Sequence, residues 1–375
     1  MHWPQGESLR VVRRVEPSQL RVRITRDQDW FEATGEVVID ELLKMDLMKL
    51  IDLVSASPSR FVAIGDGRFF ALTEQLRHRL SELSAYSDRK GGALRFPQIR
   101  ATALSDLDQW CTLKSDKHWR ACLKRIEDAG DIVAEVPTTL NAELRDYQVE
   151  GFRWLCRLSH WGAGACLADD MGLGKTLQAI AMMLRRAADG PALVIAPMSV
   201  CFNWEAELRR FAPTLNPRMF GAGDRDAFLA ELGPRDVAIT SYGLLNTEIE
   251  RLQSIQWHTI ILDEAQAIKN TLTKRSQAAM SLTADFRLIL TGTPIENHLG
   301  ELWNLFQFIN PGLLGSIEQY HQRFAIPIER DHNREASQQL KRLVQPFLLR
   351  RTKYCTWTHG GIRRLRIKRL IERIG

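Results

Sequence analysis

No pair of the six cysteines (111, 122, 156, 166, 201 and 355) stands as CxxC, and no Cys/His cluster has the spacing of zinc ligands. Zinc-stapled architectures therefore have no footing, and the thiols read as reduced and mostly buried. No stretch reaches the roughly 18 apolar residues that a membrane-spanning helix needs. Met1-His2-Trp3-Pro4-Gln5 opens without the apolar run of a signal peptide. The expectation is a cytoplasmic chain with no membrane partner. Neither charge sign is in large excess: 51 Lys and Arg face 45 Asp and Glu, for +6 and a pI near 9.1. That balance leans towards a polyanionic partner and goes no further. Even the lean is local. Residues 350–375 hold nine Lys and Arg against the single acid Glu372, which leaves the rest of the chain at −2.

Apolar material, by contrast, is ample. Hydrophobic residues make up 45% and charged residues 26% of the 375, enough to bury real cores. At about 150 residues per domain the length suggests two or three domains. Residues 1–135 have a shape but no chemistry, and no internal repeat or low-complexity run. Leu20-Arg21-Val22-Arg23-Ile24-Thr25 alternates like a half-buried strand. Phe61–Ile64 and Arg68–Leu72 flank Gly65-Asp66-Gly67, which predicts a hairpin with a tight turn. Leu76, Leu80 and Leu83 follow at helical spacing, and a second amphipathic helix is expected over about 105–128, carrying Leu107, Cys111, Leu113 and Leu123.

From about 140 the rhythm becomes strand, loop, helix. Short apolar runs stand at Ala165–Leu167, Leu193–Ala196, Val237–Thr240, Ile260–Leu262 and Leu288–Leu290, with helical patterns such as Thr176–Leu184 and Asn203–Phe211 between them. Apolar strands separated by helices predict an α/β fold with a parallel sheet, whose ligands bind at the carboxyl ends of the strands.

After the first of these strands comes Asp169-Asp170-Met171-Gly172-Leu173-Gly174-Lys175-Thr176, leading into a helix. Glycines let backbone N–H groups face phosphate oxygens, and the helix N-terminus favours negative charge. Lys175 would reach the β and γ phosphates and Thr176 would hold Mg²⁺. Asp169 stands where the general P-loop pattern has Gly, and the bland alternative is a glycine-rich turn with a surface lysine. Ile260–Leu262 delivers Asp263 and Glu264 to a strand end; the pair reads either as a helix cap or as a metal-holding and water-orienting pair beside the loop. Thr291-Gly292-Thr293-Pro294 ends the next strand, as an ordinary turn or as a bridge from phosphate site to polymer. Upstream, Gln148 in Leu144-Arg145-Asp146-Tyr147-Gln148 is a surface amide or a reader of the adenine edge.

Taken in order, these blocks resemble the Swi/Snf family of superfamily-two helicase-like ATPases. The stretches that carry the resemblance are LRDYQVEGFRWL, LADDMGLGKTLQAIAM, ILDEAQAIKN and LTGTPIENHLGELWNLFQFINPGLLG, with APMSVCFNW (196–204), ITSYGLL (239–245) and LVQPFLLRRTK (343–353) between and after them. The Asp at 169 is what this family carries. The resemblance covers roughly 140–353 and implies a RecA-like P-loop sheet with helices on both faces, preceded by a smaller α+β region over 1–135. It implies ATP and Mg²⁺ as cofactors, bound by Gln148, Asp170, Met171, Gly172, Leu173, Gly174, Lys175 and Thr176. Lys175, Asp263 and Glu264 would be catalytic, with Thr176 and, through water, Asp263 on the metal. Gln266, Thr291, Gly292 and Thr293 would couple the site to double-stranded DNA, the family's track, and a bacterial chain would then be nucleoid-associated.

Members of the family also have a second RecA-like lobe that supplies arginine fingers. Only 22 residues follow Lys353 here. Tyr354–Gly361 and the basic run Ile362–Arg373 stand where the family has an acidic, proline-containing continuation. A truncated or frameshifted gene is expected, with 354–375 either out-of-frame coding or a cationic amphipathic helix. The expected function is the ATP-binding lobe of a DNA translocase with little turnover of its own, completed where a separate chain supplies the second lobe. The alternative is a non-catalytic nucleotide-binding or interaction fragment.

Overall fold

The computed structural model describes residues 10–352 apart from 41–42, 57–58, 66–67, 222, 269, 271–272 and 294–297. The basic tail 354–375 and the turn residues Asp66 and Gly67 thus lie outside the described residues. The chain divides into two compact units, Met1–Ile126 and Glu127–Gly375.

The first unit holds strands β1 (Arg10–Val15), β2 (Leu20–Asp27), β3 (Trp30–Val38) and β4 (Lys44–Asp46), then helix α1 (Leu47–Ala56). Strands β5 (Phe61–Gly65) and β6 (Arg68–Leu72), helix α2 (Glu74–Ala85) and strands β7 (Asp88–Lys90), β8 (Ala93–Pro97) and β9 (Thr112–Ser115) follow, before helix α3 (Lys117–Asp131). One sheet runs β7-β8-β3-β2-β9 with β4 beside β3; a second runs β1-β6-β5. The alternation along β2 puts Leu20, Val22 and Ile24 in the core. There Phe31, Phe96 and Trp119 form edge-on contacts with ring centroids 5.1 and 5.7 Å from the Trp119 ring. Strands β5 and β6 pair antiparallel, as expected of the hairpin. The helix expected over 105–128 is a correction. Leu107 opens a single 3₁₀ turn, and Thr112–Ser115 is a strand paired in parallel with Arg21–Ile24 of β2. Helix begins only at Lys117. The period-2 pattern Thr-Leu-Lys-Ser had a sheet edge to join, and that tertiary pairing overrode the helical spacing.

The second unit opens with α4 (Asp146–Trp161), β10 (Ala165–Leu167), α5 (Lys175–Arg186), β11 (Ala192–Ala196) and α6 (Met198–Phe211). Next come β12 (Asn216–Met219), α7 (Arg225–Ala230), β13 (Asp236–Ser241), α8 (Tyr242–Thr247), α9 (Ile249–Leu252) and β14 (Trp257–Asp263). The chain continues through α10 (Lys274–Ser281), β15 (Ala284–Leu290), α11 (Leu299–Ile309), α12 (Ile317–Tyr320), α13 (Ile326–Glu329), α14 (Arg334–Val344) and β16 (Leu348–Leu349). Seven strands form one sheet in the order β12-β13-β11-β14-β15-β10-β16, and every neighbouring pair is parallel. Helices α4, α5 and α6 pack in sequence, α5 against β14 and α6 against β11 to β13; α8, α10 and α11 form the other set, with α8 on β11 and β13 and α11 on β15. Sandwiched strands explain the unbroken apolar runs: all five residues of β11 are buried.

Two contacts fix where β10 begins. Asn310 accepts from the Gly164 N–H at 2.9 Å and donates to its carbonyl at 3.2 Å. A Cβ at Gly164 would stand 2.4 Å from the Ile309 carbonyl oxygen, so the approach requires glycine. The five described cysteines are free and buried. Burial pushes the thiols of Cys111 and Cys166 up to about 12. No helix among the described residues is long and apolar enough to cross a membrane.

Candidate nucleotide site

Sheet register assembles the site. Leu167 of β10 stands opposite Leu290 of β15, which stands opposite Asp263 of β14. Strands lie about 4.8 Å apart, so the end of β10 and the carboxylate at the end of β14 are separated by one intervening strand. From Leu167 the chain turns through 168–174 into α5. Gly172 (φ 81°) and Gly174 (φ 71°) take left-handed conformations that other residues resist, and Gly174 caps α5. The loop is thereby wrapped with the helix N-terminus at its end, and Lys175 and Thr176 occupy the first turn. The Lys175 ammonium donates to the carbonyls of Asp169 at 2.7 Å and Asp170 at 3.4 Å. Burial pushes its pKa down, against the pull of Asp169, Glu264, Asp263 and Asp170. Leu173 is buried, while Met171 is 67% exposed beside Gly292, where an added Cβ would meet Met171 Cγ at 3.5 Å.

Asp263 is buried at the strand end, and burial pushes its pKa up; the Trp204 indole opposes this. Its Oδ2 accepts from Trp204 Nε1 at 2.8 Å and its Oδ1 from the Glu264 N–H at 2.9 Å. The Tyr242 hydroxyl donates to the Asp263 carbonyl at 2.9 Å. Side chain and main chain of Asp263 are therefore held from α6 and α8, by two aromatic residues in APMSVCFNW and ITSYGLL whose individual roles sequence reasoning missed. Glu264 sits at φ 49°, an uncommon conformation for a residue with a side chain. That turn sends its carboxylate to Gln266, whose Nε2 donates to Glu264 Oε2 at 2.7 Å. The buried Thr291 hydroxyl donates to Gln266 Oε1 at 3.4 Å, and the Thr293 N–H donates to Thr291 Oγ1 at 3.2 Å. Gln266 thus bridges the ends of β14 and β15.

Gln148 is buried against the loop. Its Oε1 accepts from the Arg145 N–H at 2.9 Å and its Nε2 donates to the Leu173 carbonyl at 3.2 Å. A primary amide has two hydrogens and two acceptor positions, so each end retains capacity for one more bond. Asp169, irregular for a generic P-loop, has a partner far along the chain: its fully buried carboxylate pairs with Arg351, just past β16. Arg351 was legible only as part of a family stretch. All the sequence-predicted residues come together around the ends of β14, β15 and β10. The donor set suits a Mg²⁺-bound triphosphate, combining a glycine-wrapped loop at a helix N-terminus, one lysine, one hydroxyl and one carboxylate. Mg²⁺ takes such sites with a few protein oxygens and the phosphates completing its shell.

Comparison with known proteins gives the family and the fold. A family model described as SNF2-related domain matches residues 147–359. YwqA of Bacillus subtilis (strain 168), which carries the name of an ATP-dependent helicase/translocase, is 38% identical over 350 residues, 87% of this chain and 37% of that protein. The chromatin-remodeling ATPase INO80 of Gibberella zeae is 39% identical over 246 residues, 60% of this chain and 13% of its own. The Sulfolobus solfataricus SWI2/SNF2 ATPase core solved in complex with dsDNA superposes with TM-score 0.56 at 42% identity, covering 62% of this chain and 49% of that one. The chain therefore spans less than half the length of each of these relatives.

Proposed function

Because the chain belongs to the SNF2-related domain family, we propose that its second unit is the ATP-binding lobe of a duplex-DNA translocase. The supporting observation is the single line of register Leu167–Leu290–Asp263, which sets the phosphate loop, the acidic pair and the Gln266–Thr291 bridge at adjoining strand ends. On this reading the N–H groups of Met171, Gly172 and Gly174 and the Lys175 ammonium bind the phosphates, those of Asp170 and Leu173 being engaged within the fold. Gln148 uses its remaining capacity on the adenine edge. Thr176 and, through water, Asp263 would hold Mg²⁺, which would supply positive charge to the phosphates. The Glu264 carboxylate accepts the proton of the attacking water. Gln266, which holds that carboxylate, senses Thr291, Gly292 and Thr293, the turn that faces the DNA track. Residues 1–135 serve as an accessory region and 140–353 as the lobe.

Arginines acting from a second element are worth about 10³–10⁵ in rate in related phosphoryl-transfer sites. YwqA and the archaeal core both extend well beyond the matched region. The 375-residue chain assayed alone therefore binds ATP·Mg²⁺ but turns it over slowly, with no stimulation by duplex DNA. Isothermal titration with ATP·Mg²⁺ tests the site: the chain binds and Lys175→Ala does not. No binding by the parent chain, or equal binding by Lys175→Ala, overturns the nucleotide reading. Adding a second-lobe fragment of a relative is expected to bring DNA-stimulated hydrolysis; stimulation without it overturns the half-site reading.

A further inference from the structure

We propose that Arg351 is the positioning residue that fixes the mouth of the phosphate loop, making the strand end after β16 part of the nucleotide site. The inference rests on the reading of 168–176 as a nucleotide loop, and goes beyond it by assigning a role to a residue 175 positions past the loop.

Arg351 grips both ends of that loop. At the start, its Nε donates to Asp169 Oδ1 at 3.0 Å and Oδ2 at 3.1 Å, and its Nη2 also donates to Asp169 Oδ2. Its own N–H donates to Asp169 Oδ1 at 2.9 Å, and its carbonyl accepts from the Asp170 N–H at 3.0 Å. At the far end the grip is indirect. Arg351 Nη2 donates to Gln178 Oε1 at 2.8 Å, and Gln178 Nε2 donates to the Gly174 carbonyl at 3.3 Å. The remaining arm, Nη1, donates to the Tyr147 carbonyl in α4, and the guanidinium lies 5.2 Å from the Tyr147 ring centre. One planar fork thus ties four elements of the site.

The geometry at Asp169 carries the effect to the chemistry. Its carboxylate is held by Arg351 while its carbonyl accepts from the Lys175 ammonium at 2.7 Å. Displacing Asp169 therefore displaces the lysine's anchor. A second observation stands apart from the ion pair. Gly151 lies inside α4, where glycine is the poorest choice after proline. A Cβ there would come 2.0 Å from Gln178 Oε1 and 2.9 Å from Arg351 Nη2. The bare helix surface leaves room for this fork and its amide partner.

The test uses the full chain and three variants: Arg351→Lys, Asp169→Asn and Gly151→Ala. Melting without nucleotide sets an assay temperature at which each is folded, and binding of ATP·Mg²⁺ and AMP is then measured. We expect ATP to bind about ten- to a hundred-fold more weakly, the usual effect of losing a group that orients a binding residue. AMP, which lacks the β and γ phosphates, is expected to lose far less. A merely structural role would lower the competent fraction and weaken both nucleotides by one factor; that result, or unchanged ATP binding in a folded variant, overturns the inference. Should loss of the buried pair prevent folding, Gly151→Ala retains every charge and decides the matter. Lys175→Ala separates the two readings. If it abolishes ATP binding while the three variants bind as the parent does, only the role of Arg351 falls. If the parent itself does not bind ATP, both fall.

Discussion

The indole N–H of Trp204 donates to Oδ2 of Asp263 at 2.8 Å across 59 residues of sequence. A buried carboxylate at a strand end is poorly solvated, and a fixed donor both orients it and favours its charged form. Trp204→Phe keeps most of the ring packing and removes the donor. The expected result is about ten- to a hundred-fold weaker Mg²⁺ support of nucleotide binding, the range for loss of a ligand-orienting partner. A Mg²⁺ titration at fixed ATP measures it. Binding in EDTA should change little, because Lys175 and the loop amides are untouched.

The Gln266 amide joins two strand ends, donating to Glu264 at 2.7 Å and accepting from Thr291 at 3.4 Å. Gln266→Ala frees the Glu264 carboxylate without touching the phosphate loop. ATP affinity is expected to stay near that of the parent, while single-turnover hydrolysis slows about tenfold, equivalent to ~1.4 kcal/mol of barrier. Thr291→Val should act in the same direction, and the double variant should be less than additive if the two groups form one unit.

Sequence pattern alone located five of the seven parallel strands, because each is a buried apolar run of ordinary length. The two it passed over have little intrinsic signal. Strand β12 is Asn-Pro-Arg-Met at the sheet edge, and β16 is the dipeptide Leu348-Leu349. Both are strands only because a neighbour offers hydrogen bonds. The same holds in the site. Residues contiguous in sequence (the loop, the Asp-Glu pair and the Thr-Gly-Thr turn) were readable from local spacing. The groups that set their geometry were not, since Trp204 and Tyr242 meet Asp263 only through sheet order, and Arg351 meets Asp169 only because β16 pairs with β10. Asp169, odd by the general loop formula, makes sense once its partner is seen.

Asn304 of α11 is buried, and its amide donates to the Ile268 carbonyl and the Ser276 hydroxyl, which itself donates to Ile268 at 2.8 Å. This triad pins the turn that follows Glu264 and Gln266. Asn304→Ala removes one of the two donors to the buried Ile268 carbonyl, a loss of about 0.5–1.5 kcal/mol. Urea unfolding should show a lower midpoint with the slope unchanged. Ser276→Ala in the same background removes the carbonyl's remaining donor and should cost more than it does alone.

In the N-terminal unit, Asp116 starts α3. Its Oδ1 accepts from the Trp119 N–H at 2.8 Å and its Oδ2 from the Arg26 N–H at 2.7 Å. Burial pushes the Asp116 carboxyl up, but the N–H groups of Trp119, Arg26 and His118 outweigh it and hold the pKa below its ordinary value near 3.8. The folded pKa is thus lower than the unfolded one. The stability it contributes is complete above the unfolded value and is lost as the pH falls through the folded value. Asp116→Ala should therefore lower stability at neutral pH by about 1 kcal/mol, the usual value of a helix N-cap. Repeated at about pH 2, below the unfolded value, the same comparison should show a much smaller gap. Asp116→Asn separates cap from charge: asparagine caps nearly as well, so it should keep most of the neutral-pH stability while losing the dependence on acid. Urea midpoints for the three chains at both pH values provide the measurement, and an alanine variant equally destabilised at both would remove the carboxylate from the account.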